Sequence, residues 1–332
     1  MNSNTKPKVY VPRIIWDWNY MSRRNIDILS NFSDPVVEPT GTGPIPEDEL
    51  VRRMHGARAL IVRNGQGTED ITARVLKEVG SVEVAVFAHS AYYGPIWDTA
   101  SKCGIRTVEG SDGVDRAVAE WTVAAAIMGL RRLIEAGDSL KTEGVWQKEW
   151  KRASLLYGST VGLLGLGRIG RMVAVYFQML GAKVLAFDKY FDPDKAKILG
   201  IEMRDLQTLV SESDVVSLHL PVTPETRGIF TREHFDLLKD GAVFINSARA
   251  ALYDEQQLVE ALRSNRFSAY LDVYEKEPLD PKHPFHALPN VFTSSHIAGT
   301  NDVMYERMGL DAINTLRDYF QTGVLRDSRE PR

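Results

Sequence analysis

The stretch TVGLLGLGRIG, residues 160–170, decides the fold class. It reads as a short apolar strand that leads directly into a Gly-x-Gly-x-x-Gly motif, and helical periodicity continues over residues 172–180. In such a unit the first glycine permits a tight turn, the second lets the backbone approach a diphosphate, and the third lets helix and strand pack closely. The diphosphate then lies at the helix N-terminus. The motif predicts a dinucleotide site that includes Gly165, Gly167, Arg168, Ile169 and Gly170.

An acidic residue follows the next predicted strand, residues 183–187. Asp188 lies eighteen positions past Gly170, where a carboxylate can accept hydrogen bonds from an adenosine ribose diol and repel a 2′-phosphate. We therefore expect NAD rather than NADP, a preference that the adjacent Lys189 weakens. The alternative is a glycine-rich surface turn followed by a solvated aspartate, and the order of strand, motif, helix, strand and acid argues against it.

Short β-branched runs alternate with amphipathic stretches along almost the whole chain, which indicates an α/β fold. A long buried helix is predicted over residues 118–132, and the strands after it are continuously apolar, as parallel strands covered on both faces are. A last helix, about residues 301–320, is expected to return to the first domain. The predicted strands are residues 8–11, 36–38, 59–63, 82–88 and 106–108, then 160–164, 183–187, 215–220, 242–246, 269–273 and 291–294.

Composition narrows the classes of function. The 332 residues are 44% hydrophobic and 25% charged, enough for two hydrophobic cores. A net charge of −4 without a basic block excludes nucleic acid as a partner. The single cysteine, Cys103, excludes an internal disulfide and a multi-thiolate metal site. The polar N-terminus lacks a secretory signal and no run could span a membrane, so we expect a cytoplasmic protein with no membrane partner.

Polar residues follow four of the later predicted strands, where ligands bind in open α/β sheets. An arginine among them can grip a carboxylate with its planar fork. A histidine can exchange a proton with an oxygen near neutral pH, and a glutamate beside it would favour its charged form and hold its ring. Together they suit a 2-oxo or 2-hydroxy acid. The segments are His219-Leu220-Pro221 with Thr223 and Thr226, Asn246-Ser247-Ala248-Arg249, Asp272 to Pro278, and Ser294-Ser295-His296.

From Val118 to His296 the sequence closely resembles the D-isomer-specific 2-hydroxyacid dehydrogenases, the group of phosphoglycerate dehydrogenase and glyoxylate/hydroxypyruvate reductase. The resemblance covers more than half of the chain, and its motifs are highly specific when taken together. They are Ala117-Val118-Ala119-Glu120, residues 161–170, Pro221-Val222-Thr223-Pro224-Glu225-Thr226, Asn246-Ser247-Ala248-Arg249, Leu271-Asp272-Val273 with Glu277-Pro278, and His296-Ile297-Ala298-Gly299.

The resemblance implies roles for residues of this chain. Arg249 would grip the substrate carboxylate and carbonyl, Glu277 would partner the acid–base histidine, and His296 would be that histidine. Asp272 would bind the nicotinamide carboxamide. The other cofactor contacts expected after the later strands are Pro221 and Thr226, on the adenine and ribose side, with His219, Ser247, Ala248 and Gly299.

The resemblance also implies the architecture. We expect two doubly wound parallel-sheet domains: a Rossmann NAD-binding domain at residues 112–298 and a smaller, flavodoxin-like substrate domain at residues 1–111 and 299–332. Members of the family usually dimerise through the cofactor domain and use no metal. We therefore expect a homodimer with a small 2-oxo or 2-hydroxy acid as substrate.

Several positions depart from the family pattern. Ala250 replaces the glycine that usually follows the catalytic arginine, which excludes a strained positive φ there, and Ser295 replaces the usual proline. Larger residues replace the glycines of the carboxylate-binding loop, residues 87–94. Its aromatic residues and Trp97 form either a bulky apolar wall for the substrate or the core of a small domain. The expected substrate contacts are Arg63 and Asn64 in one loop and His89, Ser90 and Tyr92 in the other.

Alternatives remain for residues and for function. Glu275 is the other candidate partner of the histidine, and His219, His283 and His286 are expected to be structural or exposed rather than catalytic. One rival function is an NAD(H)-sensing binding protein similar to C-terminal-binding protein. A second is a dehydrogenase of the same architecture that oxidises a different anion, such as formate or phosphite, which would suit the altered loop.

Overall fold

Parallel strands organise the chain, whose computed structural model describes residues 5–12, 20–41, 43–63, 67–88, 95–110, 113–146 and 153–325. The chain divides into two compact units, Met1–Val114 with Thr300–Arg332, and Asp115–Gly299. The first observed boundary, after Val114, lies three residues past the predicted one, and the second, after Gly299, lies one residue past the predicted one.

In the described part of the first unit, five parallel strands lie in the order β2-β1-β3-β4-β5, which is the flavodoxin-like order that the sequence predicted. The C-terminal helix α12 belongs to this unit, where Ala312, Ile313 and Leu316 are fully buried against strands β1, β3 and β4. The elements are β1 (Lys8–Val11), α1 (Arg23–Ser30), β2 (Asp34–Val37), α2 (Glu47–Met54), β3 (Ala57–Val62), α3 (Ala73–Val79), β4 (Val84–Phe87), α4 (Pro95–Lys102), β5 (Arg106–Glu109) and α12 (Asp302–Thr322).

In the described part of the second unit, seven parallel strands lie in the order β12-β11-β10-β9-β6-β7-β8. This is the doubly wound Rossmann order with a seventh strand, and the chain switches direction between β6 and β9. The elements are α5 (Asp115–Leu130), α6 (Leu133–Glu143), β6 (Thr160–Leu164), α7 (Arg168–Met179), β7 (Lys183–Phe187), α8 (Pro193–Ile198), β8 (Glu202–Met203), α9 (Leu206–Glu212), β9 (Val215–Leu218), α10 (Arg232–Leu237), β10 (Val243–Asn246), α11 (Glu255–Leu262), β11 (Ser268–Leu271) and β12 (Val291–Thr293), with 3₁₀ turns at Ala250–Leu252 and Pro284–Ala287.

Helices cover both faces of the second sheet. Along β10, Val243 and Ile245 pack with α5 and α7, whereas Phe244 packs on the other face with α10 and α11. All three side chains are fully buried, and each contributes about 1.5–3 kcal/mol by leaving water. This two-sided burial is why the strands of this unit are continuously apolar.

The structure corrects the ends of several predicted strands. The runs predicted to reach Leu220 and Val273 end at Leu218 and Leu271, because the polar loops of the candidate site begin directly afterwards. The two-residue strand β8 was not predicted, since it has no apolar run and pairs only with β7. No helix of the described residues is both long enough and apolar enough to cross a membrane.

Candidate active site

The sheet register of the second unit brings the sequence-predicted segments to one edge. The last residues of six neighbouring strands pair in a single row, so the residues that follow them all leave the sheet at its carboxyl edge. Ligands of doubly wound sheets bind at this edge, next to the switch point. From one side to the other, the row is Thr293, Leu271, Asn246, Leu218, Leu164 and Phe187.

The glycine motif forms a tight turn that only glycine fits. Gly165 has φ +104°, and a Cβ there would lie 2.7 Å from the His219 carbonyl oxygen. A Cβ on Gly170 would lie 2.0 Å from the Gly165 carbonyl oxygen, so the third glycine lets α7 start against the turn. Among the described residues, nothing lies within 4 Å of the Cβ position of Gly167, so the backbone is open at the start of α7. The turn therefore fits the diphosphate of a dinucleotide, which the N–H groups at a helix N-terminus bind.

The side chains of Arg168 and Ile169, which follow Gly167 in the motif, are engaged by other parts of this unit. Arg168 Nε lies 2.7 Å from Asp115 Oδ2, and the Asp115 side chain is only 2% exposed. Ile169 packs against the core cluster of α5 and α7. Both side chains are therefore held by contacts within the chain, and the backbone N–H groups are what this turn offers to an anion.

Asp188, directly after β7, is tied to the glycine turn. One carboxylate oxygen accepts the Leu166 N–H at 2.8 Å, and the other accepts the N–H groups of Tyr190 at 2.9 Å and Phe191 at 3.0 Å. The carboxylate thus fixes the position of the turn. It also lies at the end of the second strand of the sheet, where the acid of a Rossmann site binds the adenosine ribose. Lys189 Nζ lies 3.1 Å from Glu225 Oε2 in the loop after β9.

The loop after β9 carries a neutral histidine. Burial lowers the pKa of His219 to about 4, and its Nε2 lies 2.9 Å from Ser217 Oγ. Farther along, Thr226 Oγ1 donates to the Pro221 carbonyl oxygen at 2.5 Å and accepts the Thr223 N–H at 2.8 Å. Thr226 therefore shapes the loop in this structure.

Asn246 shapes the turn that carries Arg249. Its side chain accepts the Ala248 N–H and donates to the Arg249 carbonyl oxygen, both at 2.9 Å. The Arg249 side chain is half-buried and donates to the Ala248 carbonyl oxygen at 2.6 Å. Ser247 Oγ lies 3.4 Å from Thr122 Oγ1 in α5. Ala250 begins a 3₁₀ turn and has no positive φ, as its Cβ predicted.

Asp272 is 1% exposed and holds the loop that follows β12. Its Oδ1 accepts Ser294 Oγ–H at 2.6 Å and the Ile297 N–H at 2.8 Å, and its Oδ2 accepts the Ala298 N–H at 2.8 Å. These three hydrogen bonds occupy three of the roughly four lone-pair directions of the carboxylate. Gly299, half-buried, directly follows this clamp.

The structure brings Glu277 and His296 together. His296 Nδ1 lies 2.7 Å from Glu277 Oε2, and the other Glu277 oxygen accepts the Tyr274 N–H at 3.0 Å. His296 has φ +56°, an unusual conformation for a residue with a Cβ. The imidazole is 48% exposed, so its other nitrogen can be reached by a ligand. The alternative partner Glu275 is exposed, and its backbone N–H donates to Glu255 Oε2 at 3.0 Å; its side chain makes no hydrogen bond to His296 within the described residues.

In the first unit the structure describes one of the five expected substrate contacts. Arg63, directly after β3, is buried, and its guanidinium lies 4.8 Å from the centroid of the Tyr305 ring. Burial lowers the pKa of Arg63. Trp97 packs on Phe87 with ring centroids 4.7 Å apart, so this aromatic residue belongs to the domain core. Asn64, His89, Ser90 and Tyr92 lie outside the described residues.

The sequence patterns did not identify three residues that contact predicted site residues or their direct neighbours in the sequence. Tyr274 orients Glu277 through its backbone, and only its place inside the segment 272–278 could have suggested it. Asp115 and Arg168 are more than fifty residues apart in the sequence, and no local sequence pattern predicts an ion pair over such a separation. Glu225 was quoted as part of a motif without a role of its own.

Comparison with known proteins gives a consistent result. The profile of the D-isomer specific 2-hydroxyacid dehydrogenase, NAD binding domain, matches residues 123–298. The chain is 34% identical to a glyoxylate reductase of Thermofilum pendens over 91% of this chain and 88% of that protein. It is 32% identical to a D-3-phosphoglycerate dehydrogenase of Archaeoglobus fulgidus over 84% of this chain but 52% of that protein, so it spans about half the length of such relatives.

A solved structure is similar over nearly the whole chain. The crystal structure of D-lactate dehydrogenase from Aquifex aeolicus, complexed with NAD and lactic acid, superposes with a TM-score of 0.72 and 25% identity. The alignment covers 95% of both chains. The alignment therefore includes residues of both units of the present chain.

Proposed function

The chain belongs to the D-isomer specific 2-hydroxyacid dehydrogenase family, and from that premise we propose that it transfers a hydride between NAD and C2 of a D-2-hydroxy acid or its 2-oxo partner. The observation that carries the proposal is the 2.7 Å pair of His296 Nδ1 and Glu277 Oε2 at the carboxyl edge of the Rossmann sheet. The names of the glyoxylate reductase and the D-lactate dehydrogenase support a small 2-oxo acid as substrate.

The glycine turn, Asp188 and Asp272 are the residues that would hold the cofactor. The turn would bind the diphosphate, Asp188 the adenosine ribose, and the remaining lone pair of Asp272 the carboxamide. When bound, NAD(H) supplies or takes up the hydride. The preference for NAD over NADP is part of this proposal and rests on Asp188, whose carboxylate would repel a 2′-phosphate.

His296 would move the proton. With Nδ1 held by Glu277, Nε2 is the nitrogen directed at substrate, and in the reduction direction it donates its proton to the C2 oxygen as the hydride reaches C2. The carbonyl gains one hydride and one proton, and His296 is left neutral. Glu277 stabilises the charged imidazole before the transfer and holds its ring throughout.

Arg249 would bind the substrate carboxylate. Support comes from the sheet register: Arg249 follows β10 and Asp272 follows β11, and these two strands end side by side at the carboxyl edge of the sheet. A guanidinium matches a carboxylate with two parallel hydrogen bonds and stabilises the charge that develops on the neighbouring oxygen. Arg63 in the first unit is a second candidate contact for the acid.

Oxidation of NADH, followed by absorbance with glyoxylate, hydroxypyruvate, pyruvate and phenylpyruvate, tests the proposal. We expect turnover with at least one of these acids, and a loss of at least about a hundredfold in His296→Ala. Parallel reactions with NAD and formate or phosphite test the rival substrates. Tight NADH binding without turnover on any of them would instead support a dinucleotide-sensing binding protein.

We further propose that the chain is a homodimer assembled through its NAD-binding unit. Support comes from α6, which has no buried residue, and from Leu133, Leu140 and Trp146, which are 50%, 47% and 76% exposed. Exposed large apolar side chains that follow one another along a single segment suit an interface. Analytical ultracentrifugation of the unmodified chain should give twice the chain mass, and Leu140→Glu should give the mass of a monomer. Ile198→Glu changes another exposed apolar side chain, on α8, and should leave the dimer intact.

A further inference from the structure

An ion pair crosses the adenosine end of the proposed cofactor site. Lys189 follows Asp188 directly after β7, and its Nζ lies 3.1 Å from Oε2 of Glu225 in the loop after β9. The Tyr190 hydroxyl donates to the same Glu225 oxygen at 2.7 Å. Because β7 and β9 flank β6 on opposite sides, this contact spans the switch point of the sheet.

The position of Lys189 is the one from which a cation would serve a 2′-phosphate. In Rossmann sites the acid at the end of the second strand binds the ribose diol, and a nearby cation accommodates the 2′-phosphate of NADP. Asp188 and Lys189 therefore favour opposite cofactors. Lys189 is already engaged by Glu225 and lies 5.4 Å from the centroid of the Tyr190 ring.

The two ionisable partners of the contact, Lys189 and Glu225, stabilise each other's charged form. The Tyr190 hydroxyl and the Lys189 ammonium lower the pKa of Glu225, and Glu225 raises the pKa of Lys189. With Asp188, the three ionised side chains carry a net charge of minus one. A 2′-phosphate, with a charge between about −1.5 and −2, would meet this net negative charge.

We propose that Glu225 is a specificity-determining residue that holds Lys189 away from a 2′-phosphate and thereby restricts the site to NAD(H). The inference rests on the proposed function, because it requires the dinucleotide to lie on this edge of the sheet. It assigns the discrimination between cofactors to two residues beyond Asp188. Removing the Glu225 charge leaves Lys189 free to pair with the phosphate and makes the three-residue cluster neutral.

Direct binding tests the inference without relying on turnover. Dissociation constants of NADH and NADPH are measured by quenching of protein fluorescence for the unmodified chain, Glu225→Gln, and the double variant Lys189→Ala/Glu225→Gln. In Glu225→Gln we expect NADPH affinity to rise about two- to fivefold, the size expected for an exposed charge contact, while NADH affinity changes less than about 1.5-fold. In the double variant the gain in NADPH affinity should vanish.

A matched ion pair provides the control. Lys183 Nζ lies 3.1 Å from Glu202 Oε1, and the two side chains are about as exposed as those of Lys189 and Glu225. Lys183 begins β7, whose five residues span about 13 Å, and Lys189 follows the other end of the strand. Glu202→Gln therefore makes the same change in charge far from the adenosine end, and it should leave the ratio of the two affinities unchanged.

The outcomes separate this inference from the proposed function. An unchanged NADPH to NADH ratio in Glu225→Gln, with NADH still bound tightly, overturns the role of Glu225 alone. A gain that persists in the double variant, or that also appears in Glu202→Gln, overturns it too, because the effect is then general charge rather than Lys189. Failure of the unmodified chain to bind either dinucleotide overturns the inference together with the proposed cofactor.

Discussion

The carboxylate of Asp272 lies 2.8 Å from the backbone nitrogen of Ala298, two residues after His296. The same carboxylate accepts the Ile297 N–H and the Ser294 hydroxyl, so it holds the loop on both sides of the imidazole. His296 adopts a positive φ within this loop. A conformation that costs a residue with a Cβ about 1 kcal/mol or more persists only where its surroundings fix it, and here Asp272 does so.

Asp272→Asn is therefore expected to impair both fold and catalysis. Its single carbonyl oxygen cannot replace both acceptors, and an unsatisfied buried N–H costs about 1–3 kcal/mol. We expect a lower free energy of unfolding by this amount and a fall in kcat of more than tenfold, measured by urea unfolding and NADH oxidation. Ser294→Ala removes only the hydroxyl contact and should lose much less. Equal losses of stability and kcat in both variants would contradict the role of Asp272 in holding the loop around His296.

A second prediction compares two glutamates of one loop. Glu277→Gln keeps the side-chain shape but removes the charge that stabilises the imidazolium, so kcat for the best 2-oxo acid should fall about a hundredfold. Glu275→Gln makes the same change on an exposed side chain that has no described contact with His296, and kcat should stay within about twofold of the unmodified value. Comparable losses would reassign the partner of His296.

Much of the fold could be predicted because its signals are local. The buried strands β6 and β7 were predicted with their observed ends, since each is a short apolar run bounded by turn residues. Strand β8 could not be, because two residues that pair with one neighbour leave no periodicity.

In the candidate site too, some residues could be predicted from local motifs and others could not. Glu277 and His296 were named from motifs, and the structure places them in contact, while their roles remain predictions. The ion pairs of Arg168 with Asp115 and of Lys189 with Glu225 join residues that the fold alone brings together. Charged side chains suit almost any exposed position, so sequence pattern does not identify their partners.

Arg249→Lys is expected to separate substrate binding from cofactor binding. An ammonium cannot make two parallel hydrogen bonds to a carboxylate, so kcat/KM for the 2-oxo acid should fall about a hundredfold. The dissociation constant of NADH, measured by fluorescence, should stay within about twofold. Arg227→Lys, the same substitution on an exposed side chain, controls for loss of an arginine. Unchanged steady-state rates in Arg249→Lys would refute the role given to this residue.

Asp188→Ala is expected to erode the preference for NAD. Its carboxylate also holds the Leu166, Tyr190 and Phe191 N–H groups, so affinity for both dinucleotides should fall. NADH should lose about tenfold more than NADPH, because NADH also loses a ribose acceptor and NADPH escapes a repulsion. Asp192→Ala removes a nearby carboxylate that caps α8 and should leave the ratio unchanged. Equal ratios in all three proteins would contradict the ribose contact.

The half-buried imidazole of His219 predicts how stability depends on pH. Its pKa of about 4 in the folded chain lies below the ordinary value of 6.5, so between these values the unfolded chain binds the extra proton. The stabilisation is complete above about pH 6.5 and decreases as pH falls to 4, by up to about 3 kcal/mol.

His219→Gln cannot titrate, and its amide can still bond to Ser217. Its free energy of urea unfolding should therefore fall less between pH 7 and pH 4.5 than that of the unmodified chain. His286→Gln, at an exposed histidine, serves as the control, and an identical pH dependence in His219→Gln and the unmodified chain would show that His219 is not the group responsible.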